Sequence, residues 1–282
     1  MDNIKIYAFA DEASPFIDNQ IKAMKENSVD GLEIRNVDNV NIAEISDSKA
    51  KEVKNKLDKA NLRVWSIGSP VGKIDIENDD FLLHIEKFKR TIELAHILAA
   101  ENIRLFSFFT PKETRNNYRD QVIERLGIFL DIARGSGITI CHENEKGIYG
   151  DMPERCLEIH KTFPEIKAIF DPANFIQCGA DTLSCWEILK PYVKYLHIKD
   201  ALRDGSVVPA GKGIGNLKYI LDDFRHTVGN SITVEPHLTV FDGLNNLEKE
   251  DDKSVIGEVY RYPSSEKAFE AAISALKELL VV

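Results

Sequence analysis

Short apolar runs alternate with longer amphipathic segments along the whole chain. The runs have the length of buried strands. In the segment that starts at Asp79 and Asp80, apolar residues recur at helical spacing, for example at Phe81, Phe88 and Ile92. The alternation predicts eight strands, at residues 4–10, 31–35, 63–68, 103–109, 138–142, 166–170, 193–198 and 232–235.

The same pattern predicts a helix after each strand. Two of the helix starts carry recognisable signals, since Ser46 is a good N-cap and Pro153 is tolerated in a first turn. Helices are expected at about residues 16–27, 46–60, 79–99, 118–135, 153 onward, 183–189, 217–226 and 266–280.

Strands that alternate with helices predict a parallel sheet, and eight such units in 282 residues predict a closed (β/α)8 TIM barrel. No change of composition divides the chain, so a single α/β domain is expected over residues 1–282. The polar segment at 242–265 is too long for a routine connection. We expect a lid, an oligomer contact or a mobile loop there.

Four predicted strands end in a side chain that can bind a metal ion. Strands five to eight end at Glu143, Asp171, His197 and Glu235. In a TIM barrel these ends meet at one face, where active sites lie. One such carboxylate more often caps a loop or joins an ion pair, and a lone histidine is usually structural, but four at equivalent ends favour a metal site. Three carboxylates and one imidazole suit Mn²⁺, Mg²⁺, Co²⁺ or Zn²⁺.

Other polar residues near these ends are candidates for substrate binding. Lys199 shares a strand face with His197 and would bind a substrate oxygen or pair with a barrel carboxylate. Glu33, on strand two, would bind a substrate hydroxyl or pair with Lys199. Lys73 would contact an anionic group or remain a solvated loop lysine. His237, at the end of strand eight, would contact substrate or pack within its loop.

Two further features near strand seven have open roles. The glycines of the 211–215 loop suggest a phosphate cradle, but the loop lacks the full Walker pattern, so this interpretation is disfavoured. Because side chains alternate along a strand, Asp200 should point away from the pocket, unless strand seven ends before this residue.

Charge and cysteine usage exclude several functional classes. The formal net charge of −10 at pH 7 disfavours broad nucleic-acid binding. The four cysteines form no Cys-X-X-Cys pair, which disfavours a thiolate zinc site or a thioredoxin-like motif. The N-terminus has no secretory pattern, and no uncharged apolar run is long enough to span a membrane. We therefore expect a cytoplasmic protein without nucleic-acid or membrane partners.

Five short motifs occur in a characteristic order: Cys141-His-Glu-Asn-Glu-Lys146, Phe170-Asp-Pro-Ala-Asn174, Leu196-His-Ile-Lys-Asp200, Gly211-Lys-Gly-Ile-Gly215 and Val234-Glu-Pro-His237. Together they resemble the xylose-isomerase-like TIM-barrel superfamily, which includes sugar phosphate isomerases/epimerases, ketose 3-epimerases and inosose dehydratases. The resemblance extends over essentially the whole chain. It implies that the four strand-end residues bind one divalent metal ion and that Glu143 and Glu235 also move protons. Asn174 lies where the epimerases present a side chain that contacts substrate.

The resemblance implies an isomerase or epimerase acting on a sugar or sugar phosphate. A carboxylate would remove a proton beside a carbonyl, and a metal-bound enediolate would carry the charge. The alternatives are an inosose-type dehydratase on the same metal site and a non-catalytic sugar-binding relative. The related apurinic endonucleases are disfavoured, because few of the seven histidines lie at strand ends. The resemblance also implies a small sugar or polyol as the substrate. Relatives commonly dimerise, so a possible homodimer is expected as well.

Overall fold

Eight parallel strands form a closed barrel. The computed structural model describes residues 4–240 and 260–281. The barrel strands are β1 (Lys5–Ala8), β2 (Gly31–Ile34), β3 (Arg63–Ile67), β4 (Asn102–Leu105), β5 (Thr139–Glu143), β6 (Lys167–Phe170), β7 (Val193–Ile198) and β8 (Ser231–Val234). Each strand pairs with the next along the chain, and β8 closes the barrel against β1. The predicted (β/α)8 TIM barrel is confirmed.

Helices follow the strands and begin where the sequence signals lie. They are α1 (Ile17–Glu26), α2 (Asp47–Lys59), α3 (Phe81–Leu98), α4 (Arg119–Ala133), α5 (Pro153–Thr162), α6 (Pro172–Gln177), α7 (Thr182–Leu189), α8 (Leu217–Thr227) and α9 (Ser265–Leu280). The Ser46 hydroxyl accepts a hydrogen bond from the Lys49 amide and caps α2. Asp80 caps α3 in the same way. One apolar cluster joins the outward side chains of the strands to the buried stripes of the helices.

The interior of the barrel changes from apolar to ionic along its strands. The lower layer consists of Tyr7, Trp65, Cys141, Ile169 and Tyr195. Two residues further along three of these strands, the inward positions hold Glu143, Asp171 and His197. An apolar floor therefore lies directly beneath the candidate site.

Strand β4 ends at Leu105, although the apolar run predicts a strand to residue 109. The Phe106 amide donates to the Val71 carbonyl at 2.8 Å, and the Phe108 amide donates to the Gly72 carbonyl at 2.9 Å. Phe108 also has a left-handed φ of 65°. The phenylalanine-rich run therefore pairs with the loop after β3, because tertiary packing overrides its strand propensity.

Helix α6 occupies a segment that the sequence pattern assigned to a loop. The Asp171 side chain accepts a hydrogen bond from the Asn174 amide at 3.0 Å and caps the helix. Pro172 takes the first helical position. Asp followed by Pro is a helix-start signal, so this short helix was recognisable in the sequence.

Asp200 holds the glycine-rich loop that follows β7. Its Oδ2 accepts hydrogen bonds from the Gly211 amide at 2.9 Å and the Gly213 amide at 3.0 Å. Its Oδ1 accepts from the Gly215 and Ala201 amides, both at 2.9 Å. These loop amides therefore bind a carboxylate of the chain itself, and no phosphate is needed to satisfy them.

Most of the segment predicted at 242–265 lies outside the described residues, so its role stays a prediction. Within residues 4–240 and 260–281, no helix combines the length and apolar character needed to cross a membrane.

Replacing Gly213 by alanine is expected to destabilise the protein by about 1–3 kcal/mol. A Cβ at this position would clash with the Ala201 carbonyl and with the Asp200 carboxylate. The matched control is Gly127→Ala in α4, where the nearest atom, on Phe163, is 3.4 Å away. Helix propensity predicts a gain of about 0.5–1 kcal/mol for that variant. Urea unfolding measures both, and equal effects would contradict the anchoring role of Asp200.

His160 is expected to make stability depend on pH below neutrality. Its buried ring donates from Nδ1 to the Ile166 carbonyl at 3.0 Å, and burial lowers its pKa to about 4. Above pH ~6.5 the residue is neutral in both folded and unfolded chains. As pH falls from there towards 4, the unfolded chain takes up the proton first, so stability falls by about 1.4 kcal/mol per pH unit.

The test compares the free energy of unfolding of wild type and His160→Gln at pH 7 and pH 4.5. Glutamine keeps a donor but does not titrate, so wild type should lose more stability across this interval. Parallel losses in the two proteins would show that His160 is not the titrating group.

Candidate metal centre

Four side chains from neighbouring strand ends meet at the upper end of the barrel. Glu143 ends β5 and His197 is the fifth residue of β7, while Asp171 and Glu235 directly follow β6 and β8. All four are buried, and one donor atom from each lies within 4.8 Å of the others. The structure therefore brings together the four residues that the strand ends predict.

The His197 ring is fixed between carboxylates on both of its nitrogens. Nε2 lies 3.0 Å from Glu33 Oε2, and Nδ1 lies 2.9 Å from Glu143 Oε1. Nδ1 also lies 3.6 Å from Glu235 Oε2. The Tyr195 hydroxyl donates to the other oxygen of Glu33 at 3.0 Å. A carboxylate behind the histidine, on the side away from the other donors, is typical of metal sites.

This arrangement determines the charge of His197. Burial by itself lowers the pKa of the ring, but Glu143 and Glu33 outweigh burial and raise it to about 10. Without a metal, the ring is therefore an imidazolium that donates to both carboxylates. A metal ion bound at Nδ1 has to replace that proton, so binding is coupled to proton release.

Two buried arginines, neither among the candidates from the sequence, neutralise the carboxylates. Arg104 Nη1 lies 3.0 Å from Glu143 Oε2 and 3.7 Å from Glu235 Oε1. Arg35 Nη1 lies 3.3 Å from Glu235 Oε1. Both guanidinium groups lie over the Phe9 ring, at 4.4 Å for Arg35 and 4.9 Å for Arg104. Period-two parity places Arg104 inward on β4, which is the signal that could have identified it.

Arg35 also organises the far side of Glu235. Its other nitrogens bind the Asp11 carboxylate at 2.8 and 3.1 Å and Glu12 Oε1 at 3.0 Å. Burial raises the pKa of Glu12 to about 8, with Arg35 opposing and Glu235 adding to the shift. His237, with a left-handed φ of 44°, donates its amide to Glu12 Oε2 at 2.6 Å. Glu12, Glu235 and His237 form a second compact donor group, but the Arg35 guanidinium already lies against it.

The Lys199 ammonium lies among the four side chains of the candidate metal site, which are called the donor group below. Its Nζ lies 2.9 Å from Asp171 Oδ2 and 2.9 Å from Glu235 Oε2. Of the two roles expected for this lysine, the structure shows the ion pair with barrel carboxylates. Glu33 pairs with His197 instead of Lys199.

The three candidate carboxylates differ in their pKa. Burial raises the pKa of Asp171 to about 7; Lys199 opposes this shift, and Glu235 and Glu143 add to it. Burial also acts on Glu235, but Lys199 and the other cationic groups hold its pKa well below the usual range. Burial is likewise outweighed at Glu143, where His197 and Arg104 lower the pKa. Glu143 and Glu235 are therefore ionised at neutral pH.

The remaining predicted substrate-binding residues lie at different distances from the centre. The Asn174 amide group donates to the Asn144 carbonyl at 2.9 Å and to Glu143 Oε1 at 3.4 Å. Lys73 Nζ lies 3.0 Å from Glu145 Oε2 and 4.4 Å from the centre of the Phe106 ring. Asn174 thus contacts the donor group, whereas Lys73 pairs with a carboxylate outside it.

The donor chemistry fits a divalent cation. Three carboxylates and one imidazole form a hard to borderline set, suited to Mn²⁺, Mg²⁺, Co²⁺ or Zn²⁺. Asp171 Oδ2 is buried and accepts no hydrogen bond, although the Lys199 ammonium lies beside it. A cation of the chain therefore already lies against this oxygen, and a divalent ion is suited to the same position.

Comparison with known proteins agrees with the fold. A family model described as xylose isomerase-like TIM barrel matches residues 21–279. None of the curated proteins matches the chain. Among solved structures, an IolI protein with a bound zinc atom gives a TM-score of 0.75 at 15% identity, over 98% of both chains.

Two further structures share the architecture. The apo form of 3-keto-D-glucoside 4-epimerase, YcjR, from E. coli gives a TM-score of 0.72 at 14% identity, over 99% of this chain and 100% of that chain. The probable 3-DHS dehydratase AsbF from Bacillus anthracis gives 0.68 at 17% identity, over 97% and 98%. At these identities the likeness shows the fold alone.

Mn²⁺ at about one hundred times its dissociation constant is expected to raise the melting temperature of metal-stripped protein by about 5 °C. Asp171→Asn should remove most of this shift, because asparagine keeps the cap of α6 but not the anionic oxygen. Asp131→Asn, an exposed position on α4, is the matched control and should keep the full shift. Differential scanning fluorimetry measures all three, and an unchanged shift in Asp171→Asn would contradict the assignment.

Proposed function

Because the chain belongs to the xylose isomerase-like TIM barrel family, we propose that it is a divalent-metal-dependent isomerase or epimerase of a sugar, sugar phosphate or similar polyol. The proposed metal ligands are Glu143, Asp171, His197 and Glu235. The proposed acid–base pair is Glu143 and Glu235.

One observation carries the proposal: two ionised, buried carboxylates approach the same histidine from different sides of the barrel. Glu143 ends β5 and Glu235 directly follows β8, and these two strands are three apart in the barrel. Both lie against His197 Nδ1, at 2.9 and 3.6 Å. Carboxylates placed in this way are suited to act on two faces of one substrate.

The chemistry requires a base beside an activated C–H bond. A proton next to a carbonyl is weakly acidic, and a divalent cation supplies positive charge for the substrate oxygens as that proton leaves. One carboxylate, in its ionised form, removes the proton and releases it to solvent. The other takes up a proton from solvent and donates that proton on the opposite face. Return to the same carbon gives an epimer, and return to the adjacent carbon converts between aldose and ketose.

The surrounding residues keep both carboxylates ready for this role. Arg104 Nη1 touches both of them, which favours their ionised forms and limits their movement. Glu33 orients His197 from behind. We propose Asn174, Lys199 and His237 as contacts for substrate hydroxyls at the same barrel end, with Glu33 acting through His197. Lys73 is proposed to contact the distal end of the substrate.

The comparisons support this assignment without deciding the substrate. The structural neighbours include an epimerase of a keto-glucoside and a protein with bound zinc. A role in carbohydrate metabolism, a cytoplasmic location and a homodimer stay our predictions. We expect neither nucleic-acid nor membrane partners.

A dehydratase is the second candidate, because the site also holds groups that can protonate a leaving hydroxyl. Burial raises the pKa of Asp171 towards neutrality, and the Lys199 ammonium lies 2.9 Å from it. Elimination needs such an acid in addition to the base. The probable dehydratase among the neighbours has the same barrel.

Glu143→Gln is expected to slow proton exchange by at least ~100-fold, because the amide cannot act as a general base. The assay measures deuterium incorporation from D₂O into free ketoses, ketose phosphates and inososes with added Mn²⁺ or Co²⁺. Glu154→Gln, an exposed glutamate on α5, is the control and should exchange at the wild-type rate.

Absence of wild-type exchange with every compound of the panel would contradict the proposed function. An unsaturated or deoxy product would decide for the dehydratase. Sugar binding in calorimetry without any exchange would decide for a non-catalytic relative.

A further inference from the structure

The Lys199 ammonium occupies the oxygens that a metal ion would need. Lys199 follows β7 and lies two residues after His197, on the same inward face. Its Nζ is 2.9 Å from Asp171 Oδ2 and 2.9 Å from Glu235 Oε2. Two of the four proposed ligands are therefore already bridged by a cation that belongs to the chain.

The other oxygens of these two carboxylates are engaged elsewhere. Asp171 Oδ1 accepts the Asn174 amide at 3.0 Å as the cap of α6. Glu235 Oε1 faces Arg35 at 3.3 Å and Arg104 at 3.7 Å. The oxygens left for a metal are thus the two beside Lys199, so the ammonium and a divalent cation compete for the same atoms.

Competition is strong in this environment. Asp171, Lys199 and Glu235 are all buried, where charges interact more strongly than in water. Two cations sharing one pair of oxygens repel each other. The ammonium is carried on a flexible four-carbon stem, so it can move while its backbone stays in place. Glu145, outside the donor group, already attracts this ammonium electrostatically.

We propose that Lys199 is a displaceable counter-cation: it holds Asp171 and Glu235 together in the metal-free protein and leaves Asp171 Oδ2 when a divalent cation binds. Metal loading then frees a buried ammonium group, which Glu145 attracts and which can donate a hydrogen bond to a substrate oxygen. The inference rests on the metal site of the proposed function. It assigns Lys199 a positioning role in loading the site, separate from proton transfer.

The first test is the affinity for Mn²⁺ of the metal-stripped full-length protein, measured by isothermal titration calorimetry. Lys199→Met should bind Mn²⁺ at least ~tenfold more tightly than wild type, because a close buried charge pair is commonly worth more than the ~1.4 kcal/mol that tenfold represents. Lys194→Met is the matched control: it removes one charge from the same strand at its exposed lower end and should leave the affinity unchanged. Unchanged or weaker binding by Lys199→Met overturns the proposal.

A second measurement uses the wild-type protein, since removing Lys199 leaves buried carboxylates without their partner and can unfold the chain. In ¹⁵N-lysine-labelled protein, the buried Lys199 ammonium should give its own Nζ resonance, assigned by its absence in Lys199→Arg. One equivalent of Zn²⁺ should shift or broaden that resonance and leave that of Lys194 unchanged. A Lys199 resonance that stays constant while Zn²⁺ binds overturns displacement.

The outcomes separate this inference from the proposed function. If wild type binds no Mn²⁺ but Lys199→Met does, Lys199 blocks the site and is not displaced, so both the displacement and the metal-dependent function are contradicted. If wild type binds Mn²⁺ and exchanges deuterium while Lys199→Met binds no more tightly, the function stands and the inference fails. If neither protein binds Mn²⁺, both are overturned.

Discussion

The need to balance buried negative charge governs the whole upper end of this barrel. Among the described residues, six buried carboxylates belong to the ion pairs around the candidate metal centre, those of Asp11, Glu12, Glu33, Glu143, Asp171 and Glu235. Unpaired buried charges are strongly unfavourable, so each must find a cation, a proton or a metal. Arg35, Arg104 and Lys199 supply three positive charges, and the His197 imidazolium supplies a fourth. Glu12 holds a proton at neutral pH, because burial raises its pKa to about 8. The negative charge that remains is what a divalent cation is suited to neutralise.

This balance links structure to chemistry. The cations beside Glu143 and Glu235 hold both carboxylates in their ionised forms, the forms that can accept a proton in the proposed reaction. In the proposed metal site, binding would exchange one positive charge for another, at His197 Nδ1 and at Lys199. Below this layer the apolar floor around Trp65 and Tyr195 keeps the dielectric low. The stability of the site and its proposed reactivity therefore depend on the same ion pairs.

The barrel and the four strand-end residues could be predicted because they follow from local pattern. Apolar runs identify strands, and in a barrel all carboxyl ends share one face, so Glu143, Asp171, His197 and Glu235 had to converge. Arg35 and Arg104 were missed because an arginine inside a strand looks in sequence like an exposed residue. Alternation along the strand gives the face on which it lies, and the closed barrel makes that face the interior. The end of β4 and the loop held by Asp200 depend on hydrogen bonds between distant segments, which no local pattern records.

The most direct test of the account is the anomalous scattering of a crystal soaked in Mn²⁺. One strong peak is predicted between Glu143, Asp171, Glu235 and Nδ1 of His197. Its distances to these ligand atoms should be roughly 2.0–2.2 Å, the range typical of carboxylate and imidazole ligands. The Lys199 ammonium should no longer touch Asp171. A peak bound only by Glu12 and His237, or no peak at saturating Mn²⁺, would contradict the central claim.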